Sequence, residues 1–236
     1  MNRFVLMLAG CLLAMPAVSA AEMVSVRALC LQHVDGLKDV KLLSGSAKNP
    51  ILTPVKLFTT TYSDQVSVPM DGGKKMTFVV EEKNEDGEDV LKIVAEGPLS
   101  RGNRQLALFI PAPEGSKTPY RLKVIDESEA KFPMGSTLIF NLSTSSARFM
   151  IGEHRKELKP GELGLIPLAT QTNDFNQCTV RVFVTSRDGE WMPVSSTAWM
   201  ATREMRSLAL TYVHPRSKKP MVQCIQETPP WKLPQL

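Results

Sequence analysis

The residues with the widest chemical reach are three histidines, His33, His154 and His214, and four cysteines, Cys11, Cys30, Cys178 and Cys224. A hydrolase of the nucleophile-and-base kind needs a serine or cysteine within hydrogen-bond reach of a histidine. No serine stands in a Gly-x-Ser-x-Gly elbow, and Ser143 to Ser146 reads as a turn. The histidines are 121 and 60 positions apart, so no local element carries two of them on one face. Neither His-Glu-x-x-His nor Cys-x-x-Cys occurs. The acidic run Glu81 to Asp89 lacks the alternate-position ligands and closing glutamate of a calcium loop and reads as a solvated hairpin tip. Gly72-Gly73 joins two strands, with no helix behind it to present its N-terminus to a phosphate. The expectation is a non-enzymatic chain with no cofactor and no metal.

Cys178 and Cys224 fall on the apolar sides of alternating runs, in line with Val180 and Val222. They either bridge two strands or lie buried as thiols, and the separation of their α-carbons decides which. Cys30 shares a face with Val24 and Val26 and reads as core. Three residues are the candidate partner contacts: His154 and Arg155, at a hairpin tip with Glu153, and Trp231, in a proline-rich tail. A tryptophan in an extended segment either docks into a partner's groove or folds back on its own chain. Trp191, Trp199 and Tyr212 are the aromatics that a carbohydrate platform would use.

The elements that position these residues are strands. Met1-Asn2-Arg3, an apolar stretch from Phe4 to Ala14 and small residues at Val18 and Ala20 make a secretory signal peptide over residues 1–20. Leu8-Ala9-Gly10-Cys11 also fits the pattern before a lipidated cysteine, which would tether the chain to a membrane. Without residues 1–20 the chain keeps 216 residues and a net charge of +3, with basic groups scattered among acidic ones, so nucleic acid is not an expected partner. Period-two runs start at Val24, Met76, Tyr120, Cys178 and Leu208, and Asp86-Gly87 and Asp188-Gly189 supply hairpin turns. Pro54 to Thr61 suits a strand, Gln32 to Lys41 has no clear period, and the two halves show no repeat. The charged stretch Asp126 to Lys131 marks a boundary. The fold class is all-β: two immunoglobulin-like β-sandwich domains, roughly residues 22–128 and 129–227, with a Pro-rich tail at 228–236. One large β-sandwich is the alternative.

Phe132-Pro133-Met134-Gly135-Ser136, Phe140-Asn141-Leu142-Ser143, Ile151-Gly152-Glu153 and Leu158-Lys159-Pro160-Gly161-Glu162 together resemble a pattern common in secreted bacterial β-domain proteins of the envelope. The resemblance implies a periplasmic or secreted location and a sandwich fold, and it brings no catalytic residues. The function expected from the whole is that of an exported envelope accessory protein that binds another envelope protein. A carbohydrate-binding accessory protein is the alternative.

Overall fold

The computed structural model describes residues 22–46, 48–70 and 74–233, so the expected signal peptide and Cys11 lie outside the described residues. The strands are β1 (Glu22–Cys30), β2 (Asp39–Ser46), β3 (Asn49–Lys56), β4 (Val66–Met70), β5 (Lys75–Lys83), β6 (Asp89–Pro98), β7 (Arg104–Pro111) and β8 (Tyr120–Asp126). They continue with β9 (Thr137–Asn141), β10 (Ala147–Ile151), β11 (His154–Leu158), β12 (Leu163–Ile166), β13 (Gln177–Thr185), β14 (Trp191–Met200), β15 (Arg206–Val213) and β16 (Pro220–Glu227). A 3-10 turn at Pro230–Lys232 follows. The chain is all-β, with four four-stranded sheets ordered β4-β1-β7-β8, β3-β2-β5-β6, β12-β9-β15-β16 and β11-β10-β13-β14.

Strands β1 to β8 pair only with one another, and β9 to β16 do the same. The first two sheets enclose Val26, Leu42, Phe78, Phe109 and Tyr120, with Phe109 edge-on to Phe78 at 4.8 Å and to Tyr120 at 5.5 Å. The other two enclose Ile139, Phe149, Val180, Val182 and Ala209. A third core joins the two sandwiches through the back faces of their inner sheets, where Leu29, Leu106 and Leu108 meet Phe140, Leu208 and Leu210. The sheets β4-β1-β7-β8 and β12-β9-β15-β16 are thus covered on both sides. This is why β7 is buried from Gln105 to Ile110 and β15 from Arg206 to Thr211 without alternation.

Although the sequence shows no evident repeat, the structure contains one. The parallel pairing of β1 with β7 recurs between β9 and β15, and each antiparallel pair of the first half has its counterpart eight strands later. A bulge interrupts hairpin β5–β6 at Phe78/Val79 and hairpin β13–β14 at Val182/Phe183. The closing turns also match: the Gly87 N–H donates to the Asn84 carbonyl, and the Gly189 N–H to the Ser186 carbonyl. Both glycines hold positive φ, 81° and 84°. Asp86-Gly87-Glu88 recurs as Asp188-Gly189-Glu190, and Leu106-Ala107-Leu108 as Leu208-Ala209-Leu210, each 102 positions on.

Two strands escape the sequence pattern. In β2 the inward side is Val40, Leu42 and Ser44, and the inward serine hides the period. β11 reads His-Arg-Lys-Glu-Leu, with only Leu158 fully buried. The strand expected at Pro54 to Thr61 instead spans Asn49–Lys56, and the chain then leaves the sheet toward Tyr62 at the junction of the halves.

Candidate functional site

Two features stand apart from ordinary sandwich packing: a buried quartet of charges between the halves, and the edge strand β14. The quartet is Arg27 on β1, Glu127 just after β8, Arg206 on β15 and Glu227 at the end of β16. Arg27 donates to Glu127 at 2.5 Å and to Glu227 at 2.7 Å; Arg206 donates to Glu127 at 2.8 Å and to Glu227 at 3.0 Å. Each half supplies one arginine and one carboxylate, and two of the four pairs, Arg27–Glu227 and Arg206–Glu127, tie the halves together. Burial opposes the charge on Arg27, yet its two carboxylates outweigh that and raise its pKa further.

The repeat explains this arrangement. The register places Arg206 opposite Glu227, and the Glu127 N–H donates to the carbonyl of Arg104, the counterpart of Arg206. The third arginine, Arg104, meets the tail. Trp231 lies 5.0, 4.8 and 4.9 Å from the guanidinium carbons of Arg27, Arg104 and Arg206. Lys232 pairs with Glu129 at 2.5 Å, and Pro229 is buried. Trp231, a candidate partner contact by sequence, is therefore engaged by its own chain. The arginines that hold it come from three distant positions, which no local pattern reveals.

The other sequence candidates divide. His154 sits at the tip of the β10–β11 hairpin, where it pairs with Ile151, and its Nε2 lies 3.3 Å from the Leu168 carbonyl. Its neighbour Glu153 accepts hydrogen bonds from the Thr170 N–H and hydroxyl and from the Gln171 N–H. These donors stabilise the ionised carboxylate and lower its pKa to about 2. A lowered folded-state pKa stabilises the fold above the ordinary carboxylate value of 4.5, and that contribution is lost as pH falls through about 2. A side-chain carbon titration followed by NMR should place the Glu153 midpoint near 2, and a midpoint near 4.5 would show that the Thr170 clamp is not formed. Arg155 is exposed on β11 and pairs with Glu157 at 2.7 Å.

The disulfide that the sequence allows between Cys178 and Cys224 is not formed. Among the described residues Cys30, Cys178 and Cys224 are free thiols. Cys178 is buried among the valines of the second core, whereas Cys224 belongs to the facing sheet and engages the Ser207 hydroxyl. Burial raises Cys30 to about 11 and Cys224 to about 12, which suppresses the thiolate needed for exchange. The remaining histidines serve loop backbones: His33 Nε2 lies 2.9 Å from the Leu57 carbonyl, and His214 Nδ1 accepts from the Ser217 N–H. Among the described residues no group of three or more His, Cys, Asp or Glu is placed to hold a metal.

Every sheet has two edges, and most are guarded. β3 carries Pro50 and Pro54, β11 is charged, β4 and β12 are five and four residues long, and β8 bears Arg121 and Lys123. β14 has ten residues, Trp-Met-Pro-Val-Ser-Ser-Thr-Ala-Trp-Met, and no charge; Pro193 and the bulge guard its first half, so the open part is Ser196 to Ala198. Met200 turns its N–H and carbonyl away from β13, to the Gln226 amide. Ladder alternation makes Ser196 and Ala198 point the same way, and both are exposed. The bulge also sets the aromatics. Trp199 pairs with the inward Cys178 and packs on the second core, whereas Trp191 pairs with Thr185 on the outer face and lies 3.8 Å from the Arg148 guanidinium. The two rings therefore do not share one platform.

The fold and this edge define the class: an all-β sandwich protein in which, among the described residues, the uncharged edge strand β14 turns Ser196 and Ala198 outward without a strand partner. No protein-family profile and no curated protein matches the sequence. Two solved structures are similar in part. One is a leucine-rich repeat protein from Bacteroides thetaiotaomicron, at 10% identity and a TM-score of 0.22, over 81% of this chain and 26% of that one. The other is a candidate cell adhesion protein from Bacteroides uniformis, at 9% identity and a TM-score of 0.22, over 91% of this chain and 99% of that one. The chain thus spans about a quarter of the length of the first.

Proposed function

We propose that this chain is an exported, non-enzymatic accessory protein of the cell envelope that binds another envelope protein, and that it does so at β14. The observation that carries this reading is the ten-residue uncharged edge with outward main-chain groups at Ser196 and Ala198. An open edge offers donors and acceptors in the spacing of a strand, so an extended segment gains a ladder of hydrogen bonds without rearrangement of the sheet. The sandwich is rigid behind it, because β13 and β10 are buried in the second core. The signal-like residues 1–20 support the export part of this reading.

The test is photo-crosslinking in the intact envelope. A photoreactive phenylalanine derivative is placed at Ala198 in one variant and at Pro54, on the guarded edge β3, in another. A discrete adduct at position 198 and none at 54 is the expected result. No adduct at 198, or the same adducts at both positions, would overturn the assignment of the site.

A further inference from the structure

The two halves are copies in topology, which makes the first a control for the second. In the first half the residue two positions past the bulged pair, opposite Met76, is Gly97, buried and packed so closely on β8 that an added Cβ would lie 2.7 Å from the Leu122 carbonyl oxygen. The ladder registers make Thr197 the counterpart of Gly97, and Val222 that of Leu122. Thr197 is exposed, with its side chain on the inner side of the sheet, opposite Val180. Glycine lets β6 close onto β8 in the first half, and the second half carries a side chain at the equivalent place on β14. The Gln226 clamp on Met200 closes one end of this seam and leaves Ser196 and Ala198 open.

The outer face beside the seam is basic. Arg155 and Arg148 share one carboxylate, Glu157, and Arg181 makes no ion pair among the described residues. Arg181 sits one strand in from the edge, and its neighbour on β14 is Ser196, too small to screen it. Strands lie about 4.8 Å apart, so an extended arginine reaches a carboxylate on a strand added beyond Ser196. Building on the strand-binding reading above, we infer that the β14 seam takes an extended acidic segment of a partner protein as a fifth strand, with its carboxylate facing Arg181.

The test uses random linear decapeptides displayed on phage and selected against the full chain. The binders should carry Asp or Glu at the positions that face Arg181 and slow amide exchange at Ser196 and Ala198. Against Arg181→Glu, an exposed change that leaves the core untouched, the same peptides should bind at least about tenfold more weakly, because like charges then face each other. Selection on that variant should enrich Lys or Arg at those positions instead. No binders, binders without acidic residues, or protection confined to other amides would overturn the inference. If that happens while the adduct at position 198 still forms, strand binding stands and the acidic segment falls. If the adduct is also missing, both fall.

Discussion

Replacing Glu127 with alanine is expected to lower the unfolding free energy by about 3–5 kcal/mol, the range for removing one partner of a buried ion pair. Glu127 is 1% exposed and accepts from both Arg27 and Arg206. Without it, two guanidinium groups on opposing sheets share only Glu227, itself 12% exposed at the side chain. The loss is therefore the cost of an uncompensated buried charge, larger than the worth of the pair itself. Urea unfolding followed by circular dichroism measures it. Glu82→Ala, which removes an exposed pair with Lys92, is the reference and should cost about 1 kcal/mol or less. A Glu127→Ala loss as small as that reference would mean that the halves are held by the Leu29, Leu106 and Leu208 contacts alone.

Much of the fold is written in the sequence, because outer-sheet strands such as β13 bury one face and expose the other. Cys178, Val180, Val182 and Val184 alternate there with polar neighbours, and Asp-Gly turns mark the hairpins. The inner sheets are harder to read. Leu208-Ala209-Leu210 looks like part of a half-exposed strand, yet it is buried on both sides, since the second covering layer comes from residues about 100 positions away. The same distance hides the charge quartet: Arg27, Glu127 and Glu227 are far apart in sequence, and only the repeat makes Glu127 and Glu227 equivalents. That repeat is detectable from two short matches at one spacing, Asp-Gly-Glu and Leu-Ala-Leu, although the strands between them have diverged. The β14 edge is legible as an uncharged run. Its openness is not, because it depends on how β14 lies against β16 of the facing sheet, which no local pattern fixes.

Gly97→Thr, which imports into the first half the residue of the second, is expected to cost about 3 kcal/mol, at the upper end for overpacking a filled site. The new Cβ would meet the Leu122 carbonyl oxygen at 2.7 Å and the Leu122 Cβ at 3.1 Å, and a backbone oxygen within a paired strand cannot swing aside. The two sheets must separate at that corner, which exposes the edge of β6. The converse change, Thr197→Gly, removes an exposed side chain and should cost no more than about 1 kcal/mol from backbone freedom. It should also let β14 settle toward β16, slow amide exchange at Ser196 and Ala198 in the free protein, and abolish the crosslink at position 198. Equal unfolding midpoints for Gly97→Thr and wild type would show that the seams of the two halves do not differ by this residue, and the case for an opened edge at β14 would lose its internal control.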